Sequence, residues 1–159
     1  SCWKIVGKGT IGYDSSGNKN AGCFTPGAYM NKQCETKEFT FTNNASSNWV
    51  VSGTDDVTTH TNANNPTITI SEGDVLVMQN NANSTHPLKI YNSLDIDITT
   101  LSGGGFTYLA NPGAYGGVKV YFSPQSSGTF YYKCGNHSSA MNGQITVTGS
   151  NPEYPITPT

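Results

Sequence analysis

Apolar residues in this chain come in short alternating runs, cut by clusters of Gly, Asn, Pro and Ser, and nowhere at the spacing of an amphipathic helix. A chain so patterned can bury apolar side chains only by pairing strands, so the expected fold class is all-β. Runs at Phe39 to Thr42, Asn48 to Ser52, Thr67 to Ser71, Asp74 to Asn80, Leu88 to Tyr91, Val118 to Phe122, Gly128 to Cys134 and Gly143 to Val147 predict strands. About eight strands suffice for two sheets packed face to face as a Greek-key β-sandwich. The stretch from Leu94 to Ala114, with its glycine triplet Gly103 to Gly105, predicts a long crossover loop with one short strand at Phe106 to Leu109.

The flanks have a different texture. Residues 1–37 hold three of the four cysteines, Cys2, Cys23 and Cys34, with many glycines and little alternation, and are expected to form an extension. Residues 38–149 form the sandwich domain, and 150–159, SNPEYPITPT, a proline-rich tail. The crowded cysteines suggest a disulfide-tied region in an oxidising compartment, so a secreted, extracellular or periplasmic location is expected. The triplets Asn44-Ala45-Ser46 and Asn83-Ser84-Thr85 are compatible with glycosylation there.

Charge excludes other classes. Lys, Arg, Asp and Glu make up 11% of the 159 residues and the formal net charge is −2, so there is no basic field for nucleic acid. No apolar run approaches the roughly 18 residues of a membrane-spanning helix. The acidic residues Asp55, Asp56, Asp95 and Asp97 are scattered, no Ser-His-Asp spacing is present, and Gly103 to Gly105 lacks the lysine of a phosphate-cradling loop.

One segment concentrates chemistry. Cys134, His137 and Met141 place a thiol, an imidazole and a thioether within eight residues, between two predicted strands. A soft thiolate, imidazoles and a weak axial thioether together suit copper in both oxidation states. A second imidazole must come from His60 or His86. His86 follows the strand ending near Gln79 and would project from a strand end, whereas His60 lies in a polar Thr- and Asn-rich stretch with no predicted strand. The competing reading pairs Cys134 with an N-terminal cysteine as one of two disulfides.

Cys-x2-His-x3-Met after the aromatic strand Phe130-Tyr131-Tyr132-Lys133, with His86-Pro87-Leu88 and Glu72-Gly73-Asp74 upstream, resembles the copper loop of cupredoxins such as plastocyanin and pseudoazurin. The resemblance covers roughly residues 38–149 and is closest to secreted or marine microbial cupredoxin-like domains. It implies one copper ion cycling between Cu(II) and Cu(I), with His86 and His137 as imidazole ligands, Cys134 as equatorial thiolate and Met141 as axial ligand. His137 would be the electron exit. Three residues separate His137 from Met141, where plastocyanin-like loops have four and the microbial group usually two, which leaves the axial atom and its bond length open. Gly143, with Asn142, is expected to supply the turn into the last strand.

The expected function is therefore electron transfer to a redox partner protein, and not enzymatic catalysis. Four protein donors leave no open position for substrate, and three histidines cannot build a further multinuclear centre. The alternative is a structural subunit of an extracellular filament, coat or matrix, self-associating through the N-terminal extension.

Overall fold

The computed structural model describes residues 35–83, 85–99, 107–111 and 116–149. The described residues contain ten strands and no helix. They are β1 (Thr36–Asn44), β2 (Asn48–Thr54), β3 (Thr59–Asn64), β4 (Ile68–Ser71), β5 (Val75–Asn80), β6 (Leu88–Tyr91), β7 (Thr107–Ala110), β8 (Val118–Pro124), β9 (Gly128–Cys134) and β10 (Asn142–Thr148). One sheet has the order β3-β2-β1-β5-β8-β7 and the other β4-β10-β9-β6. Two neighbouring pairs are parallel, β1 with β5 and β4 with β10, and the other pairs are antiparallel. The parallel pairs arise because the chain crosses between sheets at Asn65 to Thr67 and again at Glu72 to Asp74. This is the expected all-β Greek-key sandwich. None of its segments is a helix long and apolar enough to cross a membrane.

The core follows from period-two alternation. β1 sends Lys37, Phe39 and Phe41 inward, β2 Trp49 and Val51, and β5 Leu76, Met78 and Asn80. In the facing sheet Ile68, Ile70, Leu88 and Ile90 meet Tyr132, Ile145 and Val147. Phe41 packs edge-on against both Trp49 and Tyr132, with centroids 5.7 and 5.0 Å apart. Parity also sets the outcome at the end of β9: Tyr132 is buried, Lys133 turns outward, and Cys134 is buried again.

Two strands exceed the eight firmly expected. β7 matches the short strand anticipated in the crossover. β3 was missed because its sequence, THTNAN, has no apolar face; it is an edge strand held by pairing with β2, with a bulge between Val51 and Gly53. His60 thus has the strand support denied it on sequence. β1 begins at Thr36, ahead of the expected Phe39, because the inward position of Lys37 is filled by an ion pair rather than an apolar side chain. Its Nζ lies 2.6 Å from Asp74 Oδ2 and 3.1 Å from Asp56 Oδ1.

Gly143 is not a turn residue. It lies within β10 opposite Tyr132, and a Cβ there would collide with the hydroxyl end of the Tyr132 side chain, at both Cζ and the hydroxyl oxygen. The glycine permits the ring to lie flat across the neighbouring strand, with its hydroxyl donating to Pro66 O. Cys2, Cys23, Cys34, residues 1–34 of the expected extension and the proline-rich tail lie outside the described residues, and Thr36 and Lys37, expected in the extension, belong to β1.

Candidate metal centre

Three strand ends converge at one end of the sandwich. Leu88, the first residue of β6, pairs with Cys134, the last of β9, so the loop carrying His86 arrives beside the thiol. Cys134 is a free, fully buried cysteine, and the cysteines of the disulfide alternative lie outside the described residues. His86 is 3% exposed and His137 half-buried. Both histidines turn Nδ1 toward sulfur, each 3.5 Å from Cys134 Sγ, and the three donor atoms lie within 4.8 Å of one another.

These distances test whether a metal would fit. Donors bound at about 2.0 Å through nitrogen and about 2.3 Å through sulfur, at tetrahedral to trigonal angles, stand about 3.5 to 3.7 Å apart. The two sulfur–nitrogen separations match that spacing, so the residues present suit a single first-row ion. The donor set itself, one thiol with two imidazoles, is the soft and borderline mixture that copper favours. Burial pushes the His86 imidazole below the ordinary histidine range, and neighbouring His137 adds to the effect. His86 is accordingly neutral at pH 7, with a lone pair to offer.

Met141 is fully buried at the same end. The segment between it and Cys134 is closed on itself. Cys134 N donates to Met141 O at 2.9 Å, Met141 N to His137 O at 2.9 Å, and His137 N to Cys134 O at 3.3 Å. The three-residue spacing from His137 to Met141 is therefore taken up by a compact turn.

Asparagines tie the loops together, a role the sequence reading assigned only to turns. Asn136 N donates to Cys134 Sγ at 3.4 Å, and its side chain donates to Thr85 O at 2.8 Å, joining the cysteine loop to the histidine loop. Asn80 donates to His86 O at 2.8 Å and accepts from Ala82 N at 3.0 Å. The signal for Asn80 was in the sequence: a polar residue at an inward position after Leu76 and Met78. Trp49 stands edge-on to His86 at 6.5 Å, walling the site from the core. His60 is not part of this group; its Nε2 pairs with Asp55 Oδ2 at 2.9 Å.

An all-β sandwich thus brings His86, Cys134 and His137 to one end with donor atoms aligned, and seats Met141 beside them.

The sequence matches no family profile and no curated protein. Among solved structures it is similar to the copper protein rusticyanin, at 20% identity over 71% of this chain and 78% of the other, with a TM-score of 0.42. Rusticyanin from Thiobacillus ferrooxidans matches at 21% identity over 71% and 77%, with a TM-score of 0.38. Lac15 from a marine microbial metagenome matches at 17% identity over 75% of this chain but 33% of its own length, with a TM-score of 0.36.

Proposed function

We propose that this domain is a one-copper electron-transfer protein in which His86, Cys134, His137 and Met141 hold the ion. The observation that carries the reading is the convergence of Cys134 Sγ and two histidine Nδ1 atoms at 3.5 Å. Copper bound there would supply one-electron exchange between Cu(II) and Cu(I).

The chain's own residues divide the remaining work. Cys134, as a thiolate, offers the strongest electronic coupling to the ion, and the Asn136 amide stabilises charge on its sulfur. Trp49 and the buried face of His86 exclude water from the core side. Half-buried His137 is the donor nearest solvent and the natural contact for a redox partner protein. Met141 supplies a weak fourth donor from within its turn. Hydrogen bonds that close the loops restrain the backbone around these residues, which suits a site whose ligands must not rearrange when an electron moves. With four protein donors and no position left for substrate, catalysis is not proposed. The cysteine usage supports a location outside the reducing cytosol. A building-block role would rest on residues 1–34 and 150–159, outside the described residues.

Addition of Cu(II) to the purified chain tests the reading. An intense thiolate-to-copper band should appear in the visible spectrum at one ion per chain, bleach on reduction and return on oxidation. The variant C134S should lack it. A wild-type chain that stays colourless with Cys134 demonstrably reduced would overturn the proposal.

A further inference from the structure

Asn65 sits where the chain leaves β3 in one sheet and heads for β4 in the other, and its backbone is left-handed, with φ of 43°. Asparagine tolerates that conformation better than other side-chain-bearing residues. Both ends of its side chain are engaged. Oδ1 accepts from Trp49 N at 2.8 Å, and Nδ2 donates to Ala140 O at 2.8 Å, 75 positions along the chain. Asn65 N also donates to Trp49 O at 3.0 Å, and the next residue, Pro66, accepts the Tyr132 hydroxyl. The crossover is thereby anchored to both sheets.

Ala140 is the residue before Met141, and its amide donates to His137 O at 3.2 Å. A single side chain therefore links the rigid backbone of β2 to the segment that presents the thioether. The rest of that segment is held by its own turn. Ser138, Ser139 and Ala140 are exposed, so packing adds little restraint on their outer side.

We infer that Asn65 is a positioning residue for the Met141 end of the metal loop, setting how closely the thioether approaches the ion through its hydrogen bond to Ala140 O. The inference rests on the proposed copper-binding function. The axial donor is the ligand whose distance tunes such sites most readily. Met141 is already tied to Cys134 and His137 by backbone hydrogen bonds, and the Asn65 link adds a side-chain tie from the facing sheet to the residue before it.

N65D tests this. It keeps the acceptor for Trp49 N but places a carboxylate oxygen against Ala140 O, so one link is lost selectively. N65G, which accommodates the left-handed backbone, removes both links and serves if N65D folds poorly; N64A, at an exposed neighbour, is the control. In the copper-free chain, amide hydrogen exchange at Ala140 and Met141 should be about fivefold faster or more in N65D, as expected for losing one net hydrogen bond, with β5 amides unchanged. In the copper-loaded chain, the visible band should persist while its intensity ratios, electron-spin parameters and reduction potential shift. Unchanged exchange, or an unchanged spectrum and potential in a folded variant, would overturn the inference. Failure of the wild type to bind copper leaves the exchange arm intact, so the two readings fail separately.

Discussion

The two ends of the sandwich bury polar groups in opposite ways. Where β1 and β5 begin, Lys37 Nζ is surrounded by Asp74, Asp56 and Glu35 at 2.6, 3.1 and 3.2 Å. Asp74, fully buried, also accepts from Ser71 N at 2.9 Å and Glu35 N at 2.7 Å. At the far end of β5, the chain turns three lone-pair donors toward one another. One end brings a cation of its own to its anions. The other converges nucleophilic atoms at metal-bonding separations, an arrangement that a bound cation stabilises. The same strand, β5, begins at one and leads into the other, so a rigid sandwich lets a structural ion pair and a functional donor cluster coexist without sharing residues.

The sharpest way to break the contrast is K37M. It removes the Lys37 cation from the Asp74 carboxylate, and loss of one partner of a buried pair costs about 3 to 5 kcal/mol. The denaturation midpoint should fall accordingly while the copper-dependent band is retained. A loss under about 1 kcal/mol would show that water reaches Asp74, and that this end is no more closed than a surface pair.

Copper should act on the other end alone. At about a thousandfold excess over its dissociation constant, binding adds about 4 kcal/mol of stability. Thermal unfolding with and without chelator measures this, and C134S should show little of it. Equal stabilisation of C134S would place the ion elsewhere.

G143A probes the ground between the ends. The new methyl collides with the Tyr132 ring, whose hydroxyl secures Pro66 O beneath the crossover, so a loss of about 1 to 3 kcal/mol is expected. Full stability in G143A would mean that the ring and its hydrogen bond are dispensable.

The smallest effect is on acid stability. Desolvation works to raise the Asp55 carboxyl, but hydrogen bonds from His60 and from the amides of Thr69, Thr58 and Val57 outweigh it and hold the group below the usual range. Asp97 is lowered likewise, its Thr99 hydroxyl and amide bonds and Lys89 overcoming desolvation. A lowered folded-state value means stability that is present above the unfolded value, near pH 4, and lost as pH falls below it. D55N should flatten this acid limb. A D55N curve parallel to wild type down to low pH would remove Asp55 from the account.

The sequence was most legible where burial parity and chemistry coincide. Alternation up to Cys134 marked a strand, and Cys134 with its neighbours His137 and Met141 marked the loop that follows it. Legibility failed where a strand owes its existence to a partner: nothing in Thr59 to Asn64 distinguishes an edge strand from a loop until β2 lies beside it. Lys37 misled for a related reason, since its inward position makes sense only with Asp74 and Asp56 brought from other elements. Gly143 was read as a turn because a ring on the opposing strand is invisible in a linear pattern.

By itself, then, the sequence determined an all-β chain, a thiol at a strand end and the residue types for one soft metal site. These follow from local periodicity and side-chain chemistry, which need no partner to be read. Only the tertiary structure decided that both imidazoles present Nδ1 to the sulfur, that His60 pairs with Asp55 instead, and that Asn65, Asn80 and Asn136 lock the loops together. Each of those outcomes depends on which strands become neighbours, and strand order is a property of the packed sheets.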